Sequence, residues 1–396
     1  EVEWQKTFGG KDDDGANSIQ QTADGGYIVS GWTKSFGSGE EDVFISKLSP
    51  KGQLEWQKAF GGEDDDEANS IQQTTDGGYI VAGETYSFDP LGDAYILKLS
   101  AKGEFEWQKT FGGRSRDEAN SIQQTADVGY IVAGRTWSFG SGGYDVYILK
   151  LNSKGELEWE KTFGGENDDE ANSIQQAMDG GYIVAGWTES FGSEGEDVYV
   201  LKLDAKGQLG WQKTFGGKYD DEANSIQQTT DGGYIVAGWT ESFGSGEKDV
   251  YTLKLNAKGE IEWQKTFGGK DDDVANSVQQ TTEGGYIVVG WTKSFGFGGE
   301  DVYTLKLNAK GQLEWQKTFG GERSDVANSI QQTTDGGYIV AGWTKSFGSG
   351  EEDVYILKLN SNGEVEWQKT FGGKNNDGAN SIQLTADGGY IVAGWT

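Results

Sequence analysis

One motif, Glu-Trp-Gln-Lys-Thr-Phe-Gly-Gly or a near copy, returns along the whole chain. Its tryptophan stands at Trp4, Trp56, Trp107, Trp159, Trp211, Trp263, Trp315 and Trp367, a spacing of 52 residues that shortens once to 51. A fixed period of this size marks solenoids and propellers, in which each repeat is a supersecondary unit that cannot bury its apolar face alone. The 396 residues therefore read as one multi-repeat body with no linker, where unrelated sequence of that length suggests two or three domains.

The first complete unit shows what each repeat contains. Ala16–Thr22 is short and made of small and polar residues, and Asp24-Gly25-Gly26 is a hairpin turn in which glycine supplies positive φ. Tyr27–Thr33 is aromatic and β-branched on both faces, as an interior strand requires. The loop Lys34–Glu41 leads to Asp42–Leu48, and a second turn at Ser49–Gly52 leads to Leu54–Phe60. In that last stretch Leu54, Trp56 and Phe60 share one face while Glu55, Gln57 and Ala59 share the other, a period of two. Nothing in the unit has helical periodicity. Four short strands per repeat with tight turns predict the blade of a β-propeller; a parallel β-helix has shorter coils and lacks two glycine hairpins per unit.

Counting strands exposes a gap. The Ala-Asn-Ser, Tyr-Ile-Val and Trp-Gln-Lys strands occur eight times, but the Asp-Val-Tyr strand occurs only at Val43, Ala94, Val146, Val198, Val250, Val302 and Val354. The absent piece corresponds to residues 345–363 of the previous unit. The expected fold is all-β: an eight-bladed β-propeller of four-stranded antiparallel blades, its last blade closed by both termini and lacking one strand. The expected blades cover approximately residues 16–60, 68–112, 119–164, 171–216, 223–268, 275–320, 327–372, and 379–396 with 1–8, within a single domain 1–396. Val2–Phe8 would be the outer strand of the last blade. An unpaired edge there invites another strand to add. Two readings of the gap stand: a truncated chain, or a blade completed by another subunit. The chain also opens at Glu1 in mid-repeat, as a processed, excised or incomplete chain does.

Composition narrows the partners. The net charge is −31, from 64 acidic and 33 basic residues; nucleic acids and anionic membranes are held through Lys and Arg, so neither is expected as a partner. There is no His and no Cys, which excludes zinc sites, thiol chemistry and Ser-His-Asp or Cys-His catalysis. No apolar stretch approaches the about 20 residues of a membrane span, so membrane insertion is not expected, and no signal-peptide pattern is present.

Loops alternate between the two ends of each blade, and the longer ones, Gly9–Gly15 and Lys34–Glu41 with their counterparts, share one end. Longer loops on a rigid scaffold are where ligand contacts usually sit. One acidic residue there is the same in all eight copies: Asp14, Asp66, Asp117, Asp169, Asp221, Asp273, Asp325 and Asp377. These carboxylates are candidate ligands for Ca²⁺ or another divalent cation, or turn residues accepting backbone N–H bonds. Aromatics supply a second candidate set, with Trp32 and Trp187 among the tryptophans that end the second strand: stacking platforms for sugars, or packing between blades. The second and third units depart from the repeat at Glu84, Asp89, Arg116, Arg135 and Trp137. A single site in a pseudo-symmetric ring has to arise from asymmetry, so Trp32, Glu84, Asp89, Arg116, Arg135, Trp137 and Trp187 form the candidate ligand-binding set; neutral drift explains the departures as simply.

Phe8-Gly9-Gly10, the acidic turn Asp12-Asp13-Asp14, Ala16-Asn17-Ser18-Ile19, the Asp24-Gly25-Gly26 hairpin and Gly31-Trp32-Thr33 together resemble the β-propeller repeats of bacterial and archaeal secreted or surface proteins. The pattern covers every unit. The resemblance implies an extracellular or cell-surface location and a propeller set beside adhesion or anchoring modules; it implies no catalytic residues. This chain shows no sorting or anchor segment.

Three functions are weighed. The leading one is a non-enzymatic extracellular scaffold or interaction protein, including a subunit of a surface assembly or filament that self-assembles through the incomplete blade. The alternative is a carbohydrate-binding module using loop-end Trp and Asp, Ca-dependent in one version, in which several weak sites act together. The expected partner is thus a protein or a glycan. The third is a glycoside hydrolase or lyase, but a catalytic pair needs carboxylates in different environments, and here each acid has copies.

Overall fold

The computed structural model describes residues 3–396. Among these residues, seven four-stranded antiparallel sheets cover 14–60, 66–111, 117–163, 169–215, 221–267, 273–319 and 325–371. Each is a meander, with neighbouring strands adjacent in sequence. An eighth sheet has two strands only, Gly378–Leu384 and Tyr390–Trp395. We refer to the sheets as blades 1 to 8 and to the strands of each as first to fourth. Among the described residues no helix is long and apolar enough to cross a membrane.

The eight-bladed expectation is corrected here: there are seven complete blades and a two-stranded partial one. Residues 3–8 do not form the fourth strand expected of them, and Val2 lies outside the described residues. The reason is hydrogen bonding. A fourth strand pairs with a third, and the eighth unit has no third strand to offer its N–H and C=O groups. The segment nevertheless keeps the packing of a fourth strand. Trp4 lies 5.8 Å from the ring of Tyr27, as Trp56 lies 5.8 Å from Tyr79. Side-chain burial places the segment without any backbone ladder.

First strands begin earlier than the small-residue pattern indicates, at Asp14 instead of Ala16. In blades 1 to 3 and 5 to 7 the first strand has a bulge at its asparagine; in blade 1 the register shifts between Ala16 and Ser18. The bulge turns Asn17 toward the next blade, where its Nδ2 donates to the Ala68 carbonyl at 3.1 Å and to Glu67 Oε1 at 2.8 Å. It also explains the glycine of the second strand. A Cβ on Gly83 would lie 1.9 Å from the Glu67 carbonyl oxygen, a clash with backbone that nothing can relieve.

Two compact units divide the chain, one of residues up to 176 together with 383–396, the other of residues 177–382. In the first unit, apolar faces of consecutive blades form the core. Ile28, Val43 and Ile45 of blade 1 meet Ala68, Ile71, Tyr79, Val81, Tyr95, Leu97 and Leu99 of blade 2. Ile80, Ala82, Ala94 and Ile96 of blade 2 meet Ala119, Tyr130, Val132 and Tyr147 of blade 3 in the same way. Ile391 and Ala393 of blade 8 pack with Ile19, Tyr27, Val29 and Leu48 of blade 1, under Trp4 and Phe8. The second unit repeats the arrangement, for example Ile287, Val289 and Val302 of blade 6 against Ala327, Tyr338, Val340 and Tyr355 of blade 7. Second and third strands are buried on both faces because each contributes one face to the preceding interface and one to the following. Burying each Val, Ile or Leu contributes roughly 1.5–3 kcal/mol.

Charged side chains also enter this core. The third strand of every complete blade carries a lysine that is almost wholly buried, such as Lys47, Lys98, Lys150 and Lys254 at 1% exposure. Lys98 Nζ reaches Asp76 of its own blade's first hairpin at 3.2 Å and Glu106 of the fourth strand at 3.3 Å. Lys47 reaches Asp24 and Glu55 likewise. In blades 1, 2, 3, 5 and 7 two partly exposed carboxylates at the mouth thus pair with the sunken ammonium, and the aliphatic stem crosses the sheet.

Candidate functional site

Seven of the eight repeated aspartates open the first strands, Asp377 stands one residue before its own, and they lie at the end of each blade where the long loops meet. All are buried, from 0% exposure at Asp117, Asp169, Asp221, Asp273 and Asp325 to 1% at Asp66, 5% at Asp377 and 8% at Asp14. Most of their oxygens are committed; Asp221 Oδ1 and Asp273 Oδ1 are buried with no hydrogen-bond partner. In blade 2 the hydroxyl of Thr85 donates to Asp66 Oδ1, while Ser87 Oγ donates to Oδ2 at 2.6 Å and the Gly62 N–H at 2.9 Å. Asp14 and Asp117 have the same three kinds of donor. Gly165, Gly217, Gly269, Gly321 and Gly373 donate their N–H groups to Asp169, Asp221, Asp273, Asp325 and Asp377. Such a carboxylate ties its own loop, second strand and following turn together. This donor set does not fit a calcium cage, which needs several oxygens free to face one ion. Among the described residues no group of three or more acidic side chains converges in a metal-holding arrangement.

A second aspartate begins each third strand, and in six blades loop amides hold it: Asp145 Oδ2 accepts from Ser141 N–H at 2.8 Å, and Asp249 Oδ2 from Ser245 N–H at 2.8 Å. Blade 2 is different. Its loop Phe88-Asp89-Pro90-Leu91-Gly92 is the shortened one, proline brings no N–H, and the Leu91 amide turns to Asp89 Oδ1 at 2.9 Å. Asp93 Oδ1 is left buried with no hydrogen-bond partner. Asp117 of the next blade faces it: a Cβ on Gly112 would sit 1.9 Å from Asp93 Oδ1 and 2.5 Å from Asp117 Oδ2. Burial, with the charges of Asp89 and Asp117, pushes the Asp93 carboxyl up to about 6.

The residues that set blades 2 and 3 apart converge. Glu84, at 8% exposure, stands where most blades have Trp. Arg116 binds it in a fork, Nε to Oε1 at 2.6 Å and Nη2 to Oε2 at 2.7 Å. Arg135 reaches Glu118 on its own blade at 2.8 Å and Glu170 on the following first strand at 2.7 Å. Arg116 Nη2 also touches Glu118 at 3.4 Å. The chain Glu84–Arg116–Glu118–Arg135–Glu170 is therefore continuous. The hydrogen bonds it donates to Glu84 hold the Arg116 guanidinium well above its ordinary range; burial disfavours the charge of Arg135, and Glu170 and Glu118 outweigh it. Tyr144 stacks under Arg135 at 4.7 Å, and Tyr86 lies 6.0 Å from Arg116. Burial and then Glu84 raise the Tyr86 hydroxyl to about 12.

Around this internally paired network the loops are apolar and open. Trp137 is 54% exposed with its ring 5.2 Å from Tyr144, and Phe88 and Leu91 are 47% and 53% exposed. Glu84, Asp89, Arg116, Arg135 and Trp137 thus share one sector. Trp32 and Trp187 do not join it; each is half-buried near the end of its own second strand, Trp32 beside Lys34 at 5.7 Å. Glu118, Glu170, Tyr86 and Tyr144 belong to the sector and escaped the sequence reading. The first two copy residues common to other units, and only their arginine partners make them distinctive.

The comparisons agree with this architecture. A family model described as a domain of unknown function (DUF5122) beta-propeller matches residues 333–366. The chain is a β-propeller repeat protein. It is 23% identical over 400 residues to "Regulatory protein FlaEY" of Caulobacter vibrioides, across 90% of this chain and 39% of that protein; the chain thus spans well under half of that relative. Among solved structures, Sqt1 from Chaetomium thermophilum superposes with a TM-score of 0.59 at 11% identity, covering 96% of this chain and 94% of that one. The Pan2 WD40 domain of Neurospora crassa gives 0.50 at 14% identity, covering 82% and 85%. These likenesses are of fold.

Proposed function

We propose that this chain is a non-enzymatic interaction scaffold of the cell exterior or surface, which binds a protein partner through the loops of blades 2 and 3. The observation that carries the reading is the contrast within that sector. Its arginines are both paired within the Glu84–Arg116–Glu118–Arg135–Glu170 chain, which keeps a single excess negative charge, while Trp137, Phe88 and Leu91 stand open to solvent. Exposed aromatic and aliphatic side chains over a rigid, internally paired base suit a protein interface, where a few large anchors supply most of the affinity. The repeated first-strand aspartates share a glycine N–H donor from blade to blade, which favours structure over catalysis. The relative's description as a regulatory protein is compatible with a role through contacts. The extracellular assignment rests on the resemblance of the repeats.

A photo-crosslinking residue at position 137 tests it, compared with one at position 178, which is 73% exposed on a first-hairpin turn. The scaffold reading expects a discrete adduct from 137 in extracts of the source cell and none from 178. Equal labelling from both, or none from 137, contradicts it. A carbohydrate-binding reading draws on the same Trp137 face, since an exposed indole stacks on sugar rings; a glycan array with and without Ca²⁺ separates it from the protein reading.

A further inference from the structure

In the loop between the second and third strands of blade 6, Phe297 follows the Phe295-Gly296 pair. Five other blades carry serine at that place, Ser38, Ser141, Ser193, Ser245 and Ser349. The backbone is indifferent to the exchange. The Phe297 N–H donates to Asp301 Oδ2 at 2.8 Å, just as the Ser245 N–H donates to Asp249 Oδ2 at 2.8 Å. The phenyl ring is 76% exposed, so the turn does not need it and the core does not use it.

Phe297 lines a cavity of about 260 Å³ between blades 6 and 7, together with Phe319 at the end of the blade 6 fourth strand and Phe347 and Tyr355 of blade 7. The rings of Phe347 and Tyr355 lie 5.6 Å apart and are inclined at 43°. That Phe–Tyr pair recurs in other blades, for example Phe243 with Tyr251 at 5.8 Å; the additional ring is Phe297. Asp301, 2% exposed, also lines the cavity. A second carboxylate stands behind the wall at Gly320, where a Cβ would lie 2.0 Å from Asp301 Oδ1 and 2.5 Å from Asp325 Oδ2. None of the described residues that line the cavity is Lys or Arg, and the chain as a whole carries a net charge of −31. The space therefore combines aromatic surface with negative potential, which attracts a cation.

The kind of cation follows from the acceptors. Asp301 Oδ2 already takes the Phe297 N–H, and Gln368 Oε1 takes the Tyr355 hydroxyl at 3.1 Å. A primary ammonium brings three N–H donors, and leaving any of them unmet away from water is costly. A quaternary ammonium brings none, and its methyl groups rest on ring faces whose quadrupole attracts the charge. The volume lies just below the about 300 Å³ at which pockets for whole ligands begin, a size for a head group. We propose that this cavity binds a trimethylammonium group, on a small molecule such as choline or on a methylated lysine of a partner, caged by Phe297, Phe319, Phe347 and Tyr355 and balanced by Asp301. The site goes beyond the interface of blades 2 and 3 and uses other residues, so either can fail alone.

The test is calorimetric titration of the whole chain at pH 8, above the value of about 6 for the Asp301 carboxyl, with choline and with its neutral isostere 3,3-dimethylbutan-1-ol. The proposal expects saturable binding of choline at one site and binding of the alcohol at least about tenfold weaker. Phe297→Ser installs the residue of five sister blades, so Tm should hold while choline affinity falls at least about fivefold; Phe297→Tyr should keep it. A peptide carrying trimethyl-lysine, set against the same peptide carrying lysine, distinguishes the sources: tighter binding than choline assigns the head group to a protein, and weaker binding assigns it to a small molecule. Lack of saturation by both choline and the trimethyl-lysine peptide, equal binding of choline and the alcohol, or unchanged choline affinity in Phe297→Ser overturns the proposal.

Discussion

Arg116 grips Glu84 with two parallel hydrogen bonds, 2.6 and 2.7 Å long, across the boundary between blades 2 and 3. The pair replaces a tryptophan by a carboxylate that is only 8% exposed, and a carboxylate so buried is tolerable only while paired. Arg116→Met is therefore expected to destabilise the fold by about 2–3 kcal/mol. The double variant Glu84→Gln/Arg116→Met should recover most of that loss, because no uncompensated charge then remains. Chemical denaturation of the three proteins measures both steps.

Val128 breaks a rule that the other hairpins keep. Among the described residues it is the one non-glycine with positive φ, 63°, at a turn position where Gly25, Gly77 and Gly180 stand at 81–82° in other blades. A β-branched side chain is strained there, and at 48% exposure it gains little from burial. Val128→Gly is expected to raise stability by about 1 kcal/mol, read as an increase in Tm. An unchanged or lower Tm would contradict the strain.

Gly83→Ala is expected to have the opposite effect. The added methyl would meet backbone at 1.9 Å from the Glu67 carbonyl, and the bulge that carries Asn69 to the next blade would have to open. A loss of about 3 kcal/mol or more is predicted, from overpacking together with the broken ladder. Urea denaturation against the parent chain tests this.

Lys98 is 1% exposed, between Asp76 and Glu106. Lys98→Ala removes the stem and leaves two acids facing one another, an expected cost of about 2–3 kcal/mol after allowing for the partial exposure of the acids. Lys98→Met keeps the stem and should cost less. The difference between the two substitutions, obtained from their Tm values, separates packing from charge.

Stability should decline as pH rises from about 4 to 7. Burial with neighbouring carboxylates pushes Asp93, Asp145 and Asp301 up to about 6. Between the ordinary value of 3.8 and that point the folded chain holds protons that the unfolded chain has released, so raising the pH favours unfolding. Below about 4 the sign reverses, because Asp335, held by Thr333, Gly337 and Lys358, sits near 2 and its contribution fades as pH falls toward that value. Asp93→Asn should flatten the upper limb and add about 1 kcal/mol at pH 8, with little effect at pH 4. Thermal melts across pH 3–8 decide it.

The repeat made the blades legible because two periodicities coincide in it, the 52-residue spacing of the Trp motif and the alternation within Leu54–Phe60. It also disclosed the missing third strand. It did not disclose that residues 3–8 fail to become a strand, since that depends on a hydrogen-bonding neighbour and not on their own pattern, which matches Leu54–Phe60 closely. The candidate sector was legible as departures from the repeat at Glu84, Arg116 and Arg135. Glu118 and Glu170 were hidden by resembling their copies, and Lys98 by looking like an exposed charge in an alternating strand. Such pairings join residues of different strands or blades, and no local window contains both partners.

Hydrogen exchange of the free chain tests the architecture most directly. Seven complete blades and a two-stranded eighth predict strong protection along Tyr338–Thr344, whose strand is paired on both sides, and far weaker protection, by at least about tenfold, at alternate amides of Tyr390–Trp395. Equal protection of the two strands would mean that the eighth blade is closed by a partner strand within the chain, and would contradict the account.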